Sequence, residues 1–154
     1  MTQELEVLDE GQKGWLSWIV ARDLSARSAR HRLDSLAQRM VLVGNGTVGR
    51  PIGKSWLEIS REDAELRAHN FAKTGIAYAL RDRLRPGLEE PRVRMFFERF
   101  TGQARVFSNW GSGLSLALGG GLSSWEPISE STFDMAFGLT DGDLVGIFCI
   151  EDED

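Results

Sequence analysis

The sequence predicts an α+β fold in which N-terminal helices pack on a C-terminal, mainly antiparallel sheet. Three observations carry this. Apolar residues recur at helical spacing in the first half, as in Leu33, Leu36, Ala37 and Met40. From Ala104 onward short apolar runs alternate with glycine or carboxylate turns, which is how strands are punctuated. With 154 residues and 42% hydrophobic content, the chain suits one domain with its own core. The expected organisation is a single unit over 1–154. An acidic segment spans 1–10, a mainly helical part 11–102 is broken by a glycine-rich loop at 44–55, a β-rich part spans 103–150, and an acidic tail covers 151–154.

Helices are expected over most of residues 9–85. Trp15, Leu16, Ile19 and Val20 fit a first helical stripe, and Leu33, Leu36, Ala37 and Met40 a second. Arg27, Arg30, Arg32 and Arg39 lie opposite the second stripe and read as a solvated face. Gly44-Asn45-Gly46-Thr47-Val48-Gly49 follows the apolar run Val41-Leu42-Val43 and matches the dinucleotide fingerprint. That fingerprint must open a helix to receive a pyrophosphate, whereas here Pro51 and Gly53 lead into Ser55-Trp56-Leu57-Glu58-Ile59, a strand pattern. Gly49 to Ser55 imitates a phosphate loop with one residue too few between its glycines, so backbone donors would not converge on a phosphate. The expectation is a surface loop or hairpin that binds no nucleotide and leaves Lys54 in solvent.

Ser60, followed by Glu62 and Asp63, is the N-cap of a helix sustained by Ala64, Ala68, Phe71, Ala72, Ala79 and Leu80 and ended by Pro86-Gly87. His31 and His69 lack a second ligand at metal-binding spacing and read as structural or surface groups. Arg81, Arg83, Arg85, Arg92, Arg94 and Arg99 are interleaved with Asp82, Glu89, Glu90 and Glu98, a pattern of local ion pairs rather than a nucleic-acid patch. Val93, Phe96, Phe97 and Phe100 form a helical stripe with Pro91 in the first turn and Gly102 as the C-terminal cap.

The C-terminal strands are expected at Val106-Phe107, Leu114–Leu118, Phe133–Leu139 and Leu144–Ile150. An Asp141-Gly142 hairpin loop would pair Leu139 with Leu144, Phe137 with Gly146, Met135 with Phe148 and Phe133 with Ile150. The large apolar side chains then share one face, and Asp134, Ala136, Gly138 and Thr140 the other. Leu144–Ile150, apolar on both faces, reads as central, and its neighbour as half exposed.

Charge is sorted along the chain: −4 over residues 1–10, +8 over 11–110 and −9 over 111–154, where no Lys or Arg occurs. Such segregation favours a basic partner or a cation and counts against general nucleic-acid or anionic-membrane binding. Cys149 is the only cysteine, which excludes an internal disulfide and points to a reducing compartment. The acidic N-terminus resembles no export signal and no apolar run reaches membrane-spanning length, so a cytoplasmic protein is expected.

Three functions compete for the acidic end. A metal enzyme would use Asp134, Asp141, Asp143 and Glu151 around Mg²⁺, but the hairpin separates Asp134 from Asp141 and Asp143 by more than about 20 Å at strand rise. A regulatory interaction module unrelated to toxins is a second possibility. The favoured reading is a non-enzymatic inhibitor without metal or cofactor, which meets a basic protein through Asp141, Asp143, Glu151, Asp152, Glu153 and Asp154. Trp110 and Trp125 are its candidate hydrophobic anchors, with a core role as the alternative for each.

The stretch Trp125-Glu126-Pro127-Ile128-Ser129-Glu130-Ser131-Thr132-Phe133-Asp134, followed by a short hairpin closing in Glu151-Asp152-Glu153-Asp154, resembles bacterial immunity proteins of polymorphic or contact-dependent growth-inhibition toxins. The resemblance is confined to the C-terminal part of the chain. It implies a cytoplasmic partner that blocks one cognate toxin domain, which could be a nuclease.

Overall fold

The computed structural model describes residues 4–44, 46–75, 84–110, 126–129 and 133–152. Along the chain run β1 (Leu5–Lys13), β2 (Leu16–Asp23), α1 (Ala29–Ala37), β3 (Leu57–Ile59), α2 (Arg61–Thr74), α3 (Pro91–Phe97), β4 (Arg105–Ser108), β5 (Phe133–Asp141) and β6 (Leu144–Asp152). The strands form one antiparallel sheet in the order β1-β2-β6-β5-β4-β3. The α+β class and the antiparallel C-terminal sheet are as expected from sequence, and helices pack against that sheet.

The beginning of the chain corrects the sequence reading. Residues 5–23 form a hairpin rather than a helix, turning at Gly14, whose φ of 59° suits a residue without a side chain. β2 lies between β1 and β6 and is buried on both faces, with Leu16, Ile19, Val20 and Ala21 all in the core. Burial on two faces removes the polar alternation that marks a half-exposed strand, and a short continuous apolar run then imitates a helical stripe. In β1 a bulge between Val7 and Asp9 breaks the period as well.

The β5–β6 hairpin forms with β6 central, but its register is two residues from the predicted one. Leu139 pairs with Gly146, Phe137 with Phe148 and Met135 with Ile150, while Asp141 and Leu144 close the ladder. The loop is Gly142-Asp143. Gly142, at φ 59°, supplies the positive φ that hairpin turns require at their first central position, a conformation that Asp141 would have had to adopt in the other register. A slip of two leaves every side chain on its original face. The predicted partition therefore survives: Met135, Phe137, Leu139, Phe148 and Ile150 lie in one cluster, and Ala136, Val145, Ile147 and Cys149 in the other. The expected half exposure of β5 does not hold, because residues 134–140 are buried between β4, β6 and the two helical layers.

One face packs against α2 and α3 through Ala64, Ala68, Phe71, Val93, Phe96 and Phe97. The other packs against α1 through Leu33, Leu36 and Ala37. Two glycines bring these layers close. A Cβ at Gly146 would lie 2.6 Å from Phe100 Cζ, and one at Gly138 2.7 Å from Leu33 Cδ1. Ser60 caps α2 as predicted, its hydroxyl accepting from Asp63 N at 3.1 Å, and Ser28 caps α1. α2 ends at Thr74 before Gly75, earlier than the predicted stop at Pro86-Gly87, and Ala79 and Leu80 lie outside the described residues. α3 starts with Pro91 as expected but is capped at Glu98 rather than Gly102. The predicted strand at 114–118 also lies outside the described residues.

Candidate functional site

The predicted acidic contact residues do not form one surface. Asp141 and Asp143 sit at the β5–β6 turn, whereas Glu151 and Asp152 end β6 about 25–30 Å away at strand rise. Glu151 is buried at 2% exposure and Trp110 is fully buried, its indole N–H donating to the Asp134 carbonyl. Trp110 is therefore a core residue. Asp152 is half-buried, and Glu153, Asp154 and Trp125 lie outside the described residues.

Glu151 explains the glycine-rich loop. Its carboxylate accepts Val43 N at 2.7 Å and Gly44 N at 3.0 Å. Asp34 does the same for the second glycine segment, accepting Ile52 N at 2.8 Å, Gly53 N at 3.0 Å and Trp56 Nε1 at 3.0 Å. The backbone donors that resemble a phosphate cradle in sequence are directed at the chain's own carboxylates. Lys54 is exposed, as expected.

Asp134 is the most heavily bonded carboxylate of the described residues. It is fully buried and accepts Asn109 Nδ2 at 2.6 Å, Ile128 N at 3.1 Å, Ser129 N at 2.8 Å and Ser129 Oγ at 2.6 Å. Asn109 completes the junction by accepting Ala136 N at 2.7 Å and donating to the Glu126 carbonyl at 2.9 Å. These bonds anchor residues 126–129 to β5. Asp134 faces Glu151 across the ladder, a proximity the sequence reading missed because it grouped Glu151 with the tail. Asp141 and Asp143 lie at the other end of the same hairpin, so the four carboxylates proposed for Mg²⁺ do not converge. Among the described residues no group of three or more His, Cys, Asp or Glu side chains is placed to hold a metal. Cys149 lies beside this pair, and burial, then the charges of Asp134 and Glu151, push its thiol well up.

The opposite end of the sheet holds a different acidic group. The consecutive amides of Asp23 and Leu24 donate to the Asp143 carbonyl at 2.7 Å and the Glu4 carbonyl at 2.9 Å. The start of β1 and the β5–β6 turn are thereby brought to one place, together with Glu6 and Asp141. Asp141 is only half-exposed and accepts Thr101 N at 2.8 Å, whereas Glu4, Glu6 and Asp143 are exposed. Glu10 is exposed as well, but the bulge turns it to the face opposite Glu6. The signal for this arrangement, the −4 charge of residues 1–10, was visible, but a helical assignment for what followed hid its place in the sheet.

Many arginines of the basic middle are tied down. Arg32 donates to the Asp23 and Gly142 carbonyls at 2.8 and 2.7 Å, and Arg30 donates to the Trp56 carbonyl at 2.8 Å and lies 5.1 Å over Phe107. These two contradict the solvated face expected for α1, whereas Arg27 and Arg39 are exposed. Arg92 meets Glu90 at 3.4 Å, Arg94 meets Glu89 at 3.0 Å and Arg99 meets Asp9 at 3.2 Å. Arg67 is buried, and its desolvation lowers its pKa to about 10 against the opposing pull of Asp63.

His69 accepts Glu90 N through Nδ1 at 3.0 Å, and burial pushes its pKa below 6.5 despite nearby carboxylates. The neutral ring is the folded form. Its contribution is fully present above pH 6.5 and is lost as pH falls through the lower folded value, because the unfolded ring takes its proton first. Urea midpoints are expected to fall from pH 7.5 to 5.5, and His69→Gln to flatten that slope. An unchanged slope would contradict this role.

Burial separates two charge reversals. Glu151→Lys removes the acceptor for two amides and buries a cation, so a loss of about 3 kcal/mol or more is expected in urea unfolding. Asp143→Lys, on an exposed turn, is expected to change stability by less than about 0.5 kcal/mol. A loss for Glu151→Lys as small as that of Asp143→Lys would contradict the buried role of Glu151.

No protein family, curated protein or solved structure matches the chain. Among the described residues no helix is long and apolar enough to cross a membrane.

Proposed function

We propose that this chain is a non-enzymatic, cytoplasmic inhibitor of the immunity type, which docks a basic toxin domain without metal or cofactor. The observation that carries this reading is the union of the two acidic segments at one end of the sheet, where Glu4 and Asp143 hang from adjacent amides of residues 23 and 24. The docking surface is centred on Glu4, Glu6, Asp141 and Asp143. It replaces the tail-centred surface that the sequence suggested. Two arginines lie among these carboxylates: Arg22 meets Glu6 at 3.9 Å in an exposed pair of little energetic weight, and Arg32 is held on the Asp23 and Gly142 carbonyls. Exposed carboxylates of one sign attract a positively charged cleft over a Debye length and speed encounter.

Co-expression with the C-terminal domain of a secreted protein encoded beside this chain tests the reading. A stable complex that suppresses that domain's toxicity supports it. Failure to bind or neutralise that domain counts against it.

A further inference from the structure

We infer that the outer edge of β1, centred on Gly11 with the Trp18 indole laid across it, receives an extended basic segment of a partner as an added strand. This rests on the reading that the chain binds a protein, and it assigns the contact to a strand edge. β1 ends the sheet with nine residues, whereas β3 at the other end has three. Short edge strands are a usual protection against unwanted pairing, and β3 has it while β1 does not. Among the described residues no strand pairs with the outer side of β1.

The edge carries a recognition element besides its backbone. A Cβ at Gly11 would lie 2.5 Å from Trp18 Cζ2 and 2.8 Å from Cε2, so the indole rests directly against the β1 backbone. Trp18 stacks on Phe148 at 6.2 Å between ring centres, which fixes its orientation. Trp18 borders two clefts, one on either face of the sheet. One, of about 210 Å³, is bordered by Glu10, Gln12, Met40 and Val41. The other, of about 80 Å³, is bordered by Asp9, Arg92, Met95, Phe96 and Arg99. Met95 and Val41 are 64% and 48% exposed, a large apolar exposure for residues flanking a tryptophan.

Charge selects the occupant. Glu6, Asp9 and Glu10 line β1 against a single basic residue, Lys13. Antiparallel pairing with a second copy would oppose carboxylate to carboxylate and is disfavoured, as is the misfit at the Leu8 bulge. Asp9, on the face of the Trp18 ring, is engaged by Arg99, whereas Glu10, paired with Ile19 and so on the opposite face, has no ion pair among the described residues. The indole face on one side of β1 and the exposed Glu10 on the other both suit ammonium or guanidinium groups. Main-chain bonds from an added strand would supply affinity, and these clefts would select its side chains.

A blocked peptide of alternating Lys and Val, of strand length, is the probe, with Glu-Val and Lys-Pro peptides as controls. Hydrogen exchange and the Trp18 indole N–H resonance are followed on the full chain. The Lys-Val peptide is expected to slow exchange of β1 amides several-fold and to shift the indole signal. Glu6→Lys with Glu10→Lys is expected to weaken it about tenfold, and both controls to bind poorly. Absence of β1 protection, protection confined to β3, equal binding by either control, or concentration-dependent protection of β1 in the protein alone would each overturn the inference. Capture of a toxin domain without protection of β1 would leave the inhibitor reading standing and refute only the edge. Protection by the peptide with no toxin partner would do the reverse.

Discussion

Asp134→Ala is expected to destabilise the protein by about 3–4 kcal/mol, more than any charge reversal on the exposed acidic end. Its carboxylate joins three parts of the chain: Asn109 after β4, the amides of Ile128 and Ser129, and β5 itself. Alanine would leave those donors buried without an acceptor. Each orphaned group costs about 1–3 kcal/mol, and partial relaxation or water entry keeps the total below the full sum. Asp134→Asn should recover little, because its amide would turn one pair of hydrogens toward existing donors. For a chain of this size the expected loss lowers the melting temperature by roughly 10 °C. A shift within a degree or two of wild type would show that the Asp134 junction contributes little to the fold.

Phe148→Ala is expected to cost about 3–5 kcal/mol in urea unfolding, the range for removing a buried aromatic ring. Phe148 lies on the central strand, fully buried, with Phe96 5.4 Å away and Trp18 stacked at 6.2 Å. Its neighbour across β2 is Trp18 and across β5 is Phe137, so three strands, β2, β6 and β5, and α3 share the packing around it. The surrounding rings are held by α3 and by the neighbouring strands β2 and β5 and cannot collapse fully into the space left. Phe148→Leu should recover about half of the loss, since it refills part of the volume. If alanine and leucine cost the same small amount, the ring does not hold the layers together. Because Phe148 supports Trp18, the alanine variant should also disturb the indole at the β1 edge.

The elements that sequence revealed were those with one buried face. α1 and α3 show clean helical stripes at Leu33, Leu36, Ala37 and at Val93, Phe96, Phe97, and all six are buried. Ser60 was legible because capping is a local hydrogen bond. The faces of β5 and β6 were legible even though the register was not, since parity survives a shift of two. β2 was illegible for the opposite reason: both its faces are covered, and no periodicity distinguishes a doubly buried strand from a helix. Gly14 was the available turn signal, weaker than the apolar pattern beside it.

The candidate site was legible as charge and not as place. The acidic excess at both ends of the chain reads directly from composition, but which carboxylates reach solvent depends on tertiary partners far away in sequence. Glu151 is consumed by Val43 and Gly44, over a hundred residues earlier. Asp143 stays exposed because its carbonyl, not its side chain, is what Asp23 uses. Nothing in the sequence sets Trp18 apart from Trp110 and Trp125, because its position over Gly11 depends on a strand pairing that a helical pattern does not contain.

Association kinetics with the neighbouring secreted protein's C-terminal domain test the central claim most directly, comparing wild type with a Glu4→Lys, Glu6→Lys, Asp143→Lys variant at low and high salt. The acidic end is predicted to set encounter: the wild-type association rate falls steeply with salt, the variant associates at least about tenfold more slowly at low salt, and the two converge at high salt. An association rate indifferent to both salt and these reversals would contradict it.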